Sequence, residues 1–391
     1  MENTRKSAKA DSDPAEPADL FRALEFAHYA GRFRDKVFVI GFTAETPFAN
    51  LLLDLKVVTG YGIKVALVLP DPAFQLEALI SQSNHRGTRF HLSLLTDVLF
   101  DAPGDTVNLD FGRIETVLEE GKTPVIAFHS DAPESPGLSL TFLLAGEIAG
   151  RLKADKLFLA GPHLEPLIRA LPRSHVLAGE MEELRKDLPA SAGPGHGAVL
   201  DFIHQQLARG IPDIVLIEDK PAHLFREIFT HDGAGILFNQ VRSSRVRQAK
   251  VGDVTDIGLL LRAEIEEGRI LPVDENEIEA AVDTYWVYEI DGLLVGAARL
   301  KSCGSHWAEL AQFATLPRYR GKGRARELAL ELEEQAARSG FKQLFALTID
   351  ERMGRFFTSL GFREAGRKTL PAEWREHYDL RRASRAFVKE L

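Results

Sequence analysis

Between Leu20 and about Gln240, short runs of consecutive apolar residues recur along the chain, separated by longer stretches with helical spacing. "KVFVIGF", "GIKVALVLP", "TPVIAF", "DKLFLAG" and "DIVLIE" are apolar throughout rather than alternating, as expected of strands covered on both faces. Segments such as "PFANLLLDLKVVTGYG" and "SLTFLLAGEIAGRLKAD" lie between them, each closed by a glycine or a charged turn, and read as helices. Strand and helix in alternation predict an α/β unit around a mainly parallel sheet.

Around "FNQVRSSRVRQAKVGDVTDIG" basic and small polar residues replace the apolar runs, and a domain boundary is expected near Arg242 to Ser244. Residues 20–243 form the first domain on this reading and residues 244–391 the second. The polar stretch 1–19 lacks an apolar signal core and reads as a disordered leader. In the second domain the pattern predicts a strand "RVRQAK", a helix from Asp256 to about Glu267 capped near Thr255, and a helix "ENEIEAAVDTY". Strands "WVYEID" and "LVGAARL" follow, joined by the turn Asp291-Gly292. After them come "HWAELAQFATL", a basic loop opening a long helix in "LPRYRGKGRARELALELEEQA", the strand "KQLFALTI", a short helix with "RFFTSLGF", and a last strand near "RAFVKEL". The result is a mixed sheet with one long helix directly after the basic loop.

Composition narrows the classes. The 391 residues exceed one ordinary core and suit two domains, and the formal charge of -9 argues against nucleic acid as the main partner. One cysteine, Cys303, excludes an internal disulfide and a cysteine-based zinc site and fits a reducing compartment. The histidines lack the paired spacing of a metal site, so no metal is expected. No apolar run reaches membrane-spanning length, and a cytoplasmic protein is the expectation.

In an acidic chain a basic cluster must be local, and Arg318, Arg320, Lys322 and Arg324 are gathered in one loop. Arg320, Gly323 and Ala325 fit the pattern Arg/Gln-x-x-Gly-x-Gly/Ala, placed between a strand ending at Leu316 and the start of a helix near Gly323. First-turn amides of a helix have no internal partner and carry the positive end of its dipole, so they suit a pyrophosphate. Gly321, Gly323 and Ala325 would let the phosphate reach the backbone. Alone, such a loop is a solvated turn at least as often as a phosphate cradle.

With its context, the loop resembles that of the Gcn5-related N-acetyltransferases. The flanking segments resemble one branch, the N-acetylglutamate synthases: "DIGLLLRAEIEEGRIL", "WAELAQFATLPRYRGKG", "LFALT", the stretch Phe357 to Phe362, and the tail "LPAEWREHYDLRRASRAFVKEL". "RDKVFVIGFTAE", "GEIAGRLKADKLFLAG" and "LFREIFTHDGAGILF" resemble the amino-acid-kinase domain that precedes the acetyltransferase domain in that branch. The implied fold is a three-layer αβα kinase-like domain followed by a mixed α/β acetyltransferase domain. The implied cofactor is acetyl-coenzyme A, held by Phe313, Ala314, Arg318 and Arg320 to Ala325.

The implied reaction is acetylation of the α-amine of L-glutamate at the entry to arginine biosynthesis. Glu309, in the apolar strand "WAELAQF", is then the general base, its pKa raised by partial desolvation. By residue type alone a carboxylate there is more often a solvent-facing residue. Thr348 matches a hydroxyl position near the thioester and is as readily an ordinary strand-end threonine. Phe357 stands where many acetyltransferases carry a tyrosine acid; the synthase branch resembled here also carries Phe at that position, which leaves the acid unassigned. Arg382 and Ser384 match residues that contact the α-carboxylate. Val273 falls where synthases usually carry an arginine, for which Arg269 is the candidate substitute, and Gln312 replaces a cysteine after the base. Another amino acid as substrate, or a non-catalytic regulatory protein, are the alternatives these departures leave open.

The first domain lacks the lysine and glycine pair a kinase needs near its first strand, in "VFVIGFTAETPF", and "KVALVLPDPAF" lacks phosphate-admitting glycines, so no kinase activity is expected. The segment "REIFTHDGAGILF" resembles an arginine-effector site, in which Glu227 meets the guanidinium and Gly235 lets the ligand approach the backbone. Ile236 replaces the usual threonine there. A homo-oligomer assembled through the kinase-like domain completes the expectation.

Overall fold

The computed structural model describes residues 17–391 except 44–47, 71–75, 85–89, 96–109, 129–137, 172–173, 190–194, 231–232, 242–243, 291 and 380. Two sheets organise these residues. The first contains β1 (Val37–Phe42), β2 (Lys64–Pro70), β3 (Leu92–Leu95), β4 (Thr123–Phe128), β5 (Lys156–Ala160), β6 (His175–Leu177), β7 (Asp213–Ile217) and β8 (Ile236–Asn239). Their order is β3-β4-β2-β1-β5-β7-β8-β6, and every pairing is parallel except β7 with β8.

The uniformly apolar strands have a direct cause in this architecture. Along β1, Val39 packs into the core on one face of the sheet, while Phe38 and Ile40 pack into a second core on the other. With helices on both faces the central strands leave only end positions partly open to water, so the two-residue alternation of a half-exposed strand does not appear in them.

The second sheet contains β9 (Ser244–Gln248), β10 (Tyr285–Ile290), β11 (Leu293–Cys303), β12 (Trp307–Thr315), β13 (Gln343–Thr348), β14 (Arg363–Ala365) and β15 (Arg385–Glu390), in the order β14-β15-β13-β12-β11-β10-β9. All its pairings are antiparallel except β12 with β13. That parallel pair is joined by the amphipathic helix Arg324–Arg338, whose Leu328 and Leu332 are fully buried in the core of this half.

Several expectations fall differently. The helix expected from Asp256 begins at Val254, and its N-cap is Asp253 rather than Thr255. Asp253 is held there by Arg247, at 2.6 and 3.0 Å, and by the Lys250 amide at 2.8 Å. The chain from Pro17 is helical to Phe33, so the last three residues of the expected leader belong to a helix and the rest lie outside the described residues. Parts of both kinase-type loops, 44–47 and 71–75, also lie outside them, as do Arg242 and Asp291. Among the described residues no helix is long and apolar enough to cross a membrane.

Candidate active site

Strand β12 is where the second sheet opens. It pairs regularly with β11 from Cys303↔Trp307 to Arg299↔Ala311, but the next pairing is Ala297↔Ala314. Gln312 and Phe313 therefore face a single residue, a β-bulge, and Gln312 has φ of +51° without being glycine. The Tyr285 hydroxyl donates to the Gln312 side-chain carbonyl and steadies the kink. On the other edge, the ladder with β13 runs only from Trp307↔Gln343 to Leu310↔Ala346, although β13 continues to Thr348. Past Leu310 the two strands part.

A cavity of about 580 Å³ lies at this fork, and it gathers the expected catalytic and substrate residues but not the basic loop. Glu309, Phe313, Thr348, Phe357, Arg382 and Ser384 all line it. Glu309 is 9% exposed and sits opposite Phe345 on β13, beside an apolar cluster of Phe345, Leu370 and Trp374. Burial pushes its carboxyl above the ordinary range, against the opposing pull of Lys301 directly across β11, a hydrogen bond from the Trp374 side chain, and Arg299. Cys303, in the same cavity, has its thiol pushed up to about 11, first by burial and then by Glu309.

Thr348 accepts the Asp350 amide at 2.9 Å, and Asp350 in turn caps the helix Glu351–Ser359. Its hydroxyl thus has a turn-forming task as well as a place in the cavity. Phe357 is buried and carries no proton to give. Arg382 donates to the carbonyls of Gly268 and Arg269, both at 2.8 Å, and so ties the tail to the turn after the helix Val254–Glu266. Ser384 is buried and accepts the Tyr378 hydroxyl at 2.9 Å.

Arg269, the candidate substitute for the missing arginine, does line the cavity, whereas Val273 packs against the domain core. Sequence reasoning missed its partner. Buried Glu264 accepts from Arg269 Nε with one carboxylate oxygen and from Arg320 Nη2, at 2.7 Å, with the other. An acidic residue on the apolar face of an amphipathic helix was the available signal. The bulge at Gln312 had none, since its positive φ falls on a residue that is not glycine.

The basic loop is arranged differently from the expectation. Gly321 and Gly323 both have φ of +78°, Gly323 caps the helix that begins at Arg324, and the first-turn amides there lack intrahelical partners. The cations, however, turn to protein. Arg320 donates to Thr315 O and Glu264, Lys322 pairs with Glu180, and Arg324 is buried over the Tyr319 ring with a bond to Tyr319 O. Arg318 is drawn away altogether, into the first domain, where it meets Glu227. Glu227 does contact a guanidinium, and Gly235 O accepts from it at 2.8 Å, but that guanidinium is the chain's own. Ala314 is buried and pairs with Ala297. Among the described residues no group of three or more His, Cys, Asp or Glu side chains is placed to hold a metal.

A mixed sheet split at a bulge, a buried carboxylate at the split and a glycine loop heading the next helix define a class. Residues 259–362 match the acetyltransferase (GNAT) family, and the second domain is a GNAT acetyltransferase domain. Over 302 residues the chain is 33% identical to an amino-acid acetyltransferase of Azotobacter vinelandii, covering 74% of this chain and 66% of that protein. It is 28% identical over 314 residues to an amino-acid acetyltransferase of Pseudomonas putida, covering 77% and 69%. The protein thus belongs to the amino-acid acetyltransferase family, spanning about two thirds of the length of these relatives. Both domains share the fold of the N-acetylglutamate synthase from Neisseria gonorrhoeae complexed with coenzyme A and L-arginine, with a TM-score of 0.59, 20% identity, and coverage of 96% of this chain and 99% of that one.

Proposed function

We propose that the protein transfers the acetyl group of acetyl-coenzyme A to the α-amine of L-glutamate. The observation that carries this is the placement of Glu309, with its raised pKa, in the same cavity as Arg269, Arg382 and Ser384, at the fork between β12 and β13. The relatives' activity, the glycine loop and the open strand edge support it together.

The pyrophosphate of the cofactor would rest on the backbone from Gly321 to Ala325, where the helix dipole and the unpaired amides favour an anion. Cations committed to protein partners still lend positive potential and fix the loop's shape in advance. The pantetheine arm would run along the exposed edge of β12 past Phe313 and Ala314 and bring the thioester to the bulge, whose extra residue leaves backbone unpaired. The glutamate ammonium gives its proton to Glu309, and the neutral nitrogen attacks the thioester carbonyl carbon. A C–N bond forms, the C–S bond breaks with its electron pair leaving on sulfur as thiolate, and the second proton, which the nitrogen sheds on becoming an amide, goes to that thiolate. A base held above the ordinary carboxylate range suits that first step. Cys303 stays a thiol at neutral pH, which favours direct transfer over an acyl-enzyme on that residue.

Arg269 and Arg382 supply fork-shaped donors for the substrate's carboxylates, with Ser384 and Thr348 adding hydroxyls. We place the division between domains at residues 243 and 244, because β8 closes the first sheet and β9 opens the second. The protein is read as cytoplasmic, in keeping with its single cysteine. It is also read as a homo-oligomer through the first domain, where Leu53 and Leu143 stand 68% and 45% exposed. The test is coenzyme A release from acetyl-coenzyme A with a panel of amino acids. Glutamate is expected to give the highest kcat/KM; no release with any amine would sink the enzymatic reading, and a strong preference for another amino acid would sink the substrate.

A further inference from the structure

The loop that heads the phosphate helix is seated on the first domain. Its Lys322 pairs with Glu180, its Tyr319 ring lies 4.7 Å from that of His175, and its Arg318 reaches furthest in. The Arg318 guanidinium donates to both Glu227 oxygens at 2.8 Å, to Gly235 O at 2.8 Å and, through Nε, to Ser174 O at 3.1 Å. The Glu227 side chain is 0% exposed and that of Arg318 only 7%.

The receiving side is built with unusual closeness. Besides Arg318, Glu227 Oε2 accepts the amides of Ala234 at 2.8 Å and Gly235 at 2.9 Å, so the carboxylate is fixed by backbone before any guanidinium arrives. A Cβ at Gly233 would stand 2.5 Å from Glu227 Oε2 and 2.6 and 2.7 Å from the terminal nitrogens of Arg318. At Gly235 a Cβ would meet Leu216 O at 2.3 Å. Gly233 therefore brings main chain flush against a planar cation held by a planar anion, while Gly235, pressed against β7, offers the pair its amide and carbonyl, which is the geometry of a ligand site rather than of a surface ion pair. A buried ion pair of this kind gives little net stability over an apolar pair, so its merit lies in what it positions.

We propose that Arg318 fills, as a tethered ligand, a guanidinium-binding site built by Glu227, Gly233 and Gly235, and that this occupancy holds the phosphate loop in its cofactor-binding shape. Arg318 is thus a positioning residue. It stands three residues before Gly321, so a shift of its backbone is passed directly to the glycines that face the phosphate. The inference rests on the placing of acetyl-coenzyme A at that loop. It changes the expectation for a free effector at Glu227, because the site is already occupied from within. A second cavity, of about 420 Å³ and lined by Tyr29, Lys156 and Asp213, also touches Glu227 and Arg318, and gives small solutes a route to the pair.

The experiment uses the full chain with Arg318→Ala, coenzyme A titrated by calorimetry, acetyl transfer kinetics and thermal melts, each with and without millimolar methylguanidinium. Coenzyme A affinity should fall about tenfold or more, as expected of a coupling of this size, with KM for acetyl-coenzyme A following and KM for the amino acid unmoved. Methylguanidinium should restore both the affinity and the melting temperature of the variant, methylammonium should not, and wild type should respond to neither. Unchanged coenzyme A affinity, no recovery with methylguanidinium, or a wild type that methylguanidinium alters would overturn the proposal. Should Arg318→Ala fail to fold, Gly233→Ala pushes a methyl group into the pair while keeping both charges, and must weaken coenzyme A binding likewise. A wild type that binds no coenzyme A would remove the functional reading, while recovery of the variant's melting temperature would still test the site.

Discussion

Replacing Glu309 by Gln keeps the shape of the side chain and removes its capacity to take a proton. Positioned general bases contribute about 10²- to 10⁴-fold, so kcat should fall by that factor, equivalent to roughly 3–5 kcal/mol of barrier. The KM for acetyl-coenzyme A should not move, since Glu309 is not part of the phosphate loop. In wild type the base must be ionised, so kcat/KM should climb as pH rises through the elevated carboxyl pKa, and this acidic limb should vanish in the variant. Stability should move the opposite way. Burial raises the folded-state pKa above the unfolded one, so the contribution of Glu309 is fully present below the unfolded value and is lost as pH rises through the folded value. The glutamine pays no such toll, and the melting-temperature difference should therefore shift in favour of the variant as pH increases. Coenzyme A thiol release and thermal melts across about pH 4 to 9 read both effects, a range spanning ordinary and raised carboxylates. A variant within about threefold of wild-type kcat, or one retaining the acidic limb, would refute Glu309 as the base.

Arg382→Ala should raise the KM for the amino acid by about tenfold or more while leaving that for acetyl-coenzyme A unchanged, measured by varying each substrate in turn. Gly323→Val forces a β-branched residue to φ of +78° at the head of the phosphate helix, costing on the order of 1–2 kcal/mol in urea unfolding and weakening coenzyme A binding in calorimetry. His175 is buried against Asn239, and burial holds its pKa down to about 4 from an ordinary 6.5. Its unfolded form takes up a proton first, so stability is full above pH 6.5 and falls by about 3 kcal/mol as pH drops toward 4. His175→Gln should flatten that part of the stability profile.

The first sheet was legible because burial on both faces writes itself as unbroken apolar runs, as in "VFVIGF". Glu309 was singled out only through the family resemblance, since by residue type a carboxylate in that strand is more often solvent-facing, and its burial came with the fold. What could not be read was partnership across the chain. Arg318 and Glu227 were both singled out, one for phosphate and one for a free guanidinium, yet they are 91 positions apart and only folding shows that each is the other's partner. Glu264, joining Arg320 to Arg269, is a second case of the same kind. The kink at Gln312 was silent for a different reason, because its backbone conformation is imposed by the neighbouring strands and by Tyr285, not by its own side chain.

That kink means β12 contains one residue more than its neighbour β11 can match. Deleting Gln312 would bring Phe313 opposite Ala298 and leave Ala314 on Ala297, restoring an unbroken ladder. The straightened strand would lie alongside β13 for its full length, and the fork would close. The room for the cofactor is thus the surplus length of a single strand, and a shorter, more regular chain would have a sounder sheet with nowhere for the thioester to go.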